Sequence, residues 1–491
     1  MTSELFVNAG PGETRIAWRE SGRLSELAVD RGEGGRSILG NVYLGRVAKV
    51  MGGLQAAFVD IGRPRDGFLA LPEARPVESD LNGKDGRIGD YLKEGDAVLV
   101  QVLRDEIEEK GAKLTTRITV PGVFLVLTAG GSDIHLSRHI DDDQEAVRLR
   151  GIIEANRRET EGFIVRTAAV GARDEDIERE MISLRERRTG MDTEAEGKAP
   201  PLCVYREPLP VHRCIRMAAG RTLARIVIDD RSVYNGARKY CEREAPFLVD
   251  KIEFYQAAQP IFEAYGIEDE IETALAPRID LASGGRIHIG HTAALTAIDI
   301  DTGGAGGRGG QEETNVTVNL EAAVEIARQM RLRNIGGYIL IDFVPMKRRE
   351  NKEKVLSVLR DHLARESCPS FVAGFTKLGK VELTRRRRHE SMANVLLEGE
   401  SRADSYQREK SIETVAFEAL RVVMREDRAN SGKGLELQAG GALVDMLRHG
   451  RAKPGLDQAN ETLGYPLKIS VRGDWPDRRY EVMSREGPSG S

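Results

Sequence analysis

The chain lacks most of what would tie it to a membrane, to structural zinc or to an oxidising compartment. Its 491 residues hold no run of about 18 apolar residues, so no membrane span is expected. The opening Met1-Thr2-Ser3-Glu4-Leu5-Phe6 has no basic stretch followed by an apolar core and does not read as a secretory leader. Cysteine is scarce. Cys203, Cys214, Cys241 and Cys368 are scattered without CxxC spacing, which suits free thiols in a reducing cytoplasm and makes no zinc site by itself. No GK[ST] follows a glycine run, so a P-loop is excluded. Hydrophobic residues at 40 % and charged residues at 31 % describe a globular chain, and the length suggests roughly three or four domains. The net charge of -5 does not announce nucleic acid, although local patches decide such binding more than the total.

What is present begins with carboxylates at the ends of apolar runs. Ala294-Leu295-Thr296-Ala297-Ile298-Asp299-Ile300-Asp301 and Gly337-Tyr338-Ile339-Leu340-Ile341-Asp342-Phe343 both read as buried strands ending in acids. Acids beside buried strands are costly unless paired or bound to a cation. Asp299 and Asp301 lie two apart on one strand and so point to one face. With Asp342 on a neighbouring strand they would form an oxygen-ligand site for Mg2+, with Mn2+ as the alternative. Such a site can polarise a phosphoryl oxygen and activate water. Between the runs lie the glycine-rich loop 303–310 and an amphipathic stretch from about Asn319 to Arg333. The loop is either a flexible connection or a close backbone approach to a phosphate. Lys347-Arg348-Arg349 and Arg385-Arg386-Arg387-Arg388-His389 follow strands of the same region and suit a polyanion.

Elsewhere the pattern changes along the chain. The first 30 residues alternate as three short strands. Residues 36–119 are many short strands with glycine turns, as in a small OB barrel. Phe58 and Phe68, on neighbouring strands of that barrel, are either core or an exposed platform for bases. Residues 120–210 mix strands with a charged helix from Asp174 to Arg188, and the polar segment Thr189–Pro201 reads as a loop. A helix from Ile412 to Arg425, short strands and a second helix near Gly441 to Leu447 make a small C-terminal α+β unit.

These residues together resemble the bacterial ribonuclease E/G family of endoribonucleases. The likeness is carried by Gly40-Asn41-Val42-Tyr43-Leu44-Gly45-Arg46-Val47 through Gly67-Phe68-Leu69-Ala70, by Lys110-Gly111-Ala112-Lys113-Leu114-Thr115-Thr116 and by Arg166-Thr167-Ala168. Its strongest block runs from Leu295-Thr296-Ala297-Ile298-Asp299 through Asn319-Leu320-Glu321-Ala322-Ala323 to Ile341-Asp342-Phe343. The resemblance implies a multidomain α/β and α+β chain. A non-catalytic RNase H-like fold would be formed by 1–35 and 211–276. An S1-type OB domain (36–119) and a 5'-sensor domain (120–210) would be inserted into it. A DNase I-like catalytic domain (277–395), a linker (396–409), a small C-terminal domain (410–484) and a disordered tail (485–491) would follow. It implies that Asp299 and Asp342 hold the catalytic Mg2+. It implies a 5'-monophosphate pocket of Arg166, Thr167 and Val126, with Gly122 and Lys110 matching its remaining positions. It also favours base stacking for Phe58 and Phe68.

The sequence departs from the family in three places. The cysteines of the family's zinc link are missing after Arg385, so no structural zinc is expected and any homodimer would form through the DNase I-like or C-terminal domain. Asp301 stands where the family has an assisting Asn. Gly290 and Ala293 replace family acids. The expected function is a cytoplasmic Mg2+-dependent endoribonuclease cutting single-stranded RNA, in rRNA maturation or mRNA decay. The alternative is an RNA-binding protein of the same fold with weak or no nuclease activity, and a DNA phosphodiesterase is a third reading.

Overall fold

A computed structural model describes residues 2–32, 37–75, 86–106, 110–292, 294–305, 310–366, 368–387, 389–399, 408–429 and 434–484. Ala293, Gly306 to Gly309, Arg388, most of the 396–409 linker and the 485–491 tail lie outside the described residues. The chain divides into two compact units, residues 1–3, 37–225 and 232–253, and residues 4–36, 226–231 and 254–491.

In the first unit, strands Val42–Met51, Ala56–Asp60, Gly67–Ala70, Lys113–Thr115 and Ala97–Arg104 follow one another, and the last pairs back onto the first. The result is a closed five-stranded barrel of the OB-like kind. Alternation sends Val47, Val59, Leu69, Val100 and Leu114 inward as its core. Gly67 is needed at one crossing, because a Cβ there would lie 2.4 Å from Leu114 Cδ1. Beyond the barrel is a four-stranded sheet in the order Ile134–Leu136, Glu161–Val165, Leu125–Ala129, Thr119–Pro121. The helix beside it runs over Asp174–Ala195, about two turns past Arg188, into the segment expected to be a loop. Met191 explains the extension. It falls one heptad after Leu184 on the buried Ile177–Met181–Leu184 face, and Arg188 and Asp192 pair at i,i+4 on the outside.

The second unit is centred on a six-stranded sheet in the order Arg278–Asp280, Arg286–His291, Thr296–Asp301, Gly337–Asp342, Val381–Arg385, Ser370–Phe375. Thr296–Asp301 and Gly337–Asp342 are parallel neighbours, joined through the helix Gln311–Leu332 as a βαβ crossover. Their Ile298, Ile300, Ile339 and Ile341 bury one face of the sheet against Val318, Ala322 and Ile326 of that helix and Val355 and Leu359 of the helix Arg349–Leu363. The opposite face carries the alternate, polar residues. The unit also holds the N-terminal strands Ser3–Gly10, Glu13–Glu20 and Arg23–Asp30, and a C-terminal subdomain. There the helix Ile412–Ala429 packs on a three-stranded sheet, and the helices Gly441–Arg448 and Lys453–Leu463 complete it. Among the described residues, no helix is long and apolar enough to cross a membrane.

Candidate active site

The two principal acids meet on a rung of the ladder. Asp299 and Asp342 are register partners on the parallel pair, and the backbones are therefore one strand spacing, about 5 Å, apart. Both side chains project from the polar face, with Asp299 exposed and Asp342 half-buried. The Asp342 end of its strand is fixed from the helix. Asn319, fully buried, donates through Nδ2 to the Val344 carbonyl at 2.7 Å, and its Oδ1 accepts from the Val344 N–H at 3.0 Å. Asn315 donates to the Pro345 carbonyl at 2.9 Å. Each amide spends its hydrogen bonds on backbone that no strand satisfies, which holds the exit from Asp342 in place.

Asp301 shares this face but is tied to the start of the glycine loop. Its Oδ1 accepts from the Gly303 N–H at 2.6 Å, and His288 Nε2 stands 3.5 Å from Oδ2. Gly303 has φ +48, a left-handed conformation that glycine takes at little cost. The carboxylate thus has a local structural task that an amide oxygen can also perform. Asp301→Asn is expected to keep or raise cleavage at saturating Mg2+; a collapse of the rate there would refute this.

Lys380 was not singled out from the sequence. Its ammonium forms an ion pair with Asp342 Oδ2 across the turn before the strand Val381–Arg385. A cation on the Asp342 carboxylate would have to share it with, or displace, this lysine. The donor set otherwise suits Mg2+. Two carboxylates line up on adjacent strands. Mg2+ commonly takes one or two carboxylates and keeps its waters, whereas structural zinc wants four nitrogen or sulfur ligands.

Of the residues expected to form a 5'-sensor, Arg166 and Gly122 are in contact: Arg166 Nη1 donates to the Gly122 carbonyl at 2.6 Å. Thr167 follows directly, its Oγ1 3.0 Å from Ser137 Oγ. Val126 lies in the same sheet opposite Ile164. Burial lowers the basicity of Arg166, and the nearby Arg216 guanidinium lowers it further. Arg216 is buried, pairs with Glu207 and has Nη1 without a hydrogen-bond partner. The signal for it was one charge in the apolar helical run Cys214-Ile215-Arg216-Met217-Ala218. Glu180 completes the surroundings. It accepts from the N–H groups of Phe124 and Leu125 at 2.8 and 2.7 Å, and also from that of Val123. Burial pushes its carboxyl up to about 7 against the pull of those donors. No hydrogen bond or ion pair between Lys110 and Arg166 is present among the described residues. Its segment lies on the barrel, where Ala112 accepts from the Phe68 N–H at 2.7 Å and Gly111 approaches the Asp66 carbonyl.

Phe58 and Phe68 are direct cross-strand partners, their rings 5.9 Å apart and near edge-to-face. Neither belongs to the barrel core. Both are half-buried on its outer side, with Lys49 opposite Phe58 and Lys113 opposite Phe68.

The chain carries both an OB-like barrel and a pair of carboxylates in register on adjacent parallel strands. The ribonuclease E/G family pattern matches residues 119–388. The chain is 34 % identical over 489 residues to Ribonuclease G of Salmonella typhimurium (strain SL1344), covering 98 % of this chain and 100 % of that one. It is 35 % identical over 487 residues to Ribonuclease G of Haemophilus influenzae, covering 98 % and 99 %. With Ribonuclease E of the same organism it shares 34 % over 392 residues, 78 % of this chain and 41 % of that one. The chain therefore belongs to the ribonuclease E/G family and is a metal-dependent endoribonuclease.

Proposed function

We propose that the enzyme hydrolyses internal phosphodiesters of single-stranded RNA with Mg2+ held by Asp299 and Asp342, and that it favours 5'-monophosphorylated substrates. The observation that carries this is the Asp299–Asp342 rung on the open face of the sheet. Bound there, Mg2+ would neutralise phosphoryl charge and lower the pKa of a water. Asp299 and Asp342 would hold that cation, and the buried amide of Asn319 fixes the backbone just beyond Asp342. In the reaction the water oxygen forms a bond to phosphorus and the bond from phosphorus to the 3' oxygen breaks. The products are a 3'-hydroxyl, which takes up a proton, and a 5'-phosphate. Phe58 and Phe68 would stack on bases, each worth about 1–3 kcal/mol of binding.

The family likeness further supports an RNase H-like scaffold from 1–35 and 211–276, a 5'-sensor region at 120–210 and a DNase I-like catalytic domain at 277–395. A homodimer without a zinc link is part of the same reading. Arg166 supports the sensor. Its guanidinium donates to a carbonyl, no carboxylate pairs with it among the described ion pairs, and a terminal phosphate would supply a forked, charge-assisted partner.

The test uses a 5'-monophosphorylated, unstructured AU-rich oligoribonucleotide with Mg2+ or with EDTA. Internal cleavage that EDTA abolishes is the expected result, and binding without cleavage across divalent ions would overturn it. Arg166→Ala is expected to erase the preference for a 5'-monophosphate over a 5'-hydroxyl end while cleavage of the hydroxyl substrate stays near wild type. An undiminished preference in the variant would remove the sensor.

A further inference from the structure

The polar face that carries Asp299 and Asp342 also carries two exposed aromatic rings that the reading above does not use. On the strand Gly337–Asp342, alternation places Tyr338, Leu340 and Asp342 on that face, while Ile339 and Ile341 are fully buried on the other. Phe371 is on the edge strand Ser370–Phe375, whose Val372 and Phe375 pack towards the core. Tyr338 and Phe371 are both opposite Thr384 of the intervening strand. The rings therefore stand in one row, two strand spacings or about 10 Å apart. Tyr338 is 38 % exposed and Phe371 68 %. The Tyr338 hydroxyl is held by Glu382, which raises the phenol above its ordinary value and limits where the ring can turn.

This row and the carboxylates share one face of one sheet. Asp342 is four residues along the strand from Tyr338, about 13 Å. Leu340 lies between them, half-buried, with Ala297 opposite it and Gly290 opposite Ala297. On the side of Phe371, Glu382 stands opposite Leu340 on the intervening strand. Large apolar groups held out on a charged sheet face are a place where burial is still to be gained. The occupant is identified by continuity with the cleavage site. Thirteen ångströms is the reach of a couple of nucleotides of extended strand, and nucleobases stack on aromatic faces with little regard to sequence.

We propose that Tyr338 and Phe371 form a base-stacking subsite on the catalytic face, which holds unpaired RNA bases a couple of nucleotides to one side of the bond that is cut. This rests on the endoribonuclease reading and deepens it. The subsite fixes the register of the strand over Asp299 and Asp342, so it selects which phosphodiester is cleaved. It also asks for single-stranded RNA at that distance, because a base in a duplex has no free face to offer. Phe371 is a positioning residue, since it touches substrate bases without touching the reacting atoms.

The test walks a single abasic nucleotide through a monophosphorylated oligoribonucleotide on both sides of the cut. With the wild-type enzyme, one position a couple of nucleotides from the cut is expected to lower kcat/KM by about 5- to 160-fold, the range of a lost stack. With Phe371→Ala, the intact RNA is expected to be cut about as slowly as that abasic RNA, chiefly through KM. The abasic substitution should then add nothing further. Phe371→Tyr should restore the wild-type profile. A Phe371→Ala enzyme with the wild-type abasic profile overturns the subsite. So does a Phe371→Ala chain whose only change is a smaller mass by light scattering, which would assign the ring to contact between copies. Failure of the wild-type enzyme to cut any RNA is a separate outcome that removes the underlying endoribonuclease reading.

Discussion

Asp342→Ala is expected to lower RNA cleavage by about 10^3-fold, equivalent to roughly 4 kcal/mol of lost transition-state stabilisation. The side chain is half-buried at a strand end and its ion pair is with Lys380, so its removal leaves no large cavity and the fold should survive. Circular dichroism should match wild type. Mn2+ titrated into the variant and followed by electron paramagnetic resonance should show the bound ion lost or much weakened. Asp299→Ala should behave alike, and the double variant should be little worse than either, because two ligands to one cation act as a unit. A loss of less than tenfold in either single variant would detach the pair from the chemistry.

The second large effect concerns folding. Glu13→Ala should destabilise the unit containing residues 4–36 by about 3–5 kcal/mol, the usual cost of breaking a buried ion pair from one side. Glu13 Oε2 accepts from Arg31 Nε at 2.8 Å, and Arg421 pairs with its Oε1. Arg31 in turn donates to Thr414 Oγ1 at 2.8 Å and to the Val395 carbonyl at 3.0 Å. The substitution would leave two guanidinium groups facing each other with little water. Burial alone would raise the Glu13 carboxyl, but Arg421, Arg31 and Arg15 together hold it below its ordinary 4.5. A depressed carboxyl contributes stability that is present above its unfolded value and lost as pH falls through the folded one. The wild-type denaturation midpoint should therefore fall on acidification below about pH 4.5, and the variant should show less of that fall. A variant within about 1 kcal/mol of wild type at pH 7 would deny the triad this role.

How much of this was readable from the chain differs from residue to residue. Asp299 and Asp342 were legible because strand alternation is a short-range signal and each acid ends an apolar run. The barrel was legible for the same reason, through glycine turns and short alternating strands. Phe58 and Phe68 stayed undecided on the sequence alone, since alternation says that neighbours face opposite ways but not which way is in. The fold places both on the outside. Lys380 was not legible: it lies 38 residues from Asp342, and only the pairing of Gly337–Asp342 with Val381–Arg385 brings it there. Arg216 reaches Arg166 from a helix fifty residues on. Lys110 was placed with the sensor by likeness alone, and two residues on Ala112 accepts from the Phe68 N–H on the barrel. The helix past Arg188 was missed because Thr189 and Gly190 look like a stop, while Met191 buried one heptad on outweighs them.

The rung that joins Asp299 to Asp342 has a consequence for how such an enzyme can change over time. The spacing of the two acids is set by a hydrogen-bonded ladder and by the helix behind it, and the glycine loop only departs from the strand beyond Asp301. The loop's length is therefore a free parameter. Residues inserted or deleted beyond Asp301 would leave the register that sets the spacing of the two acids unchanged.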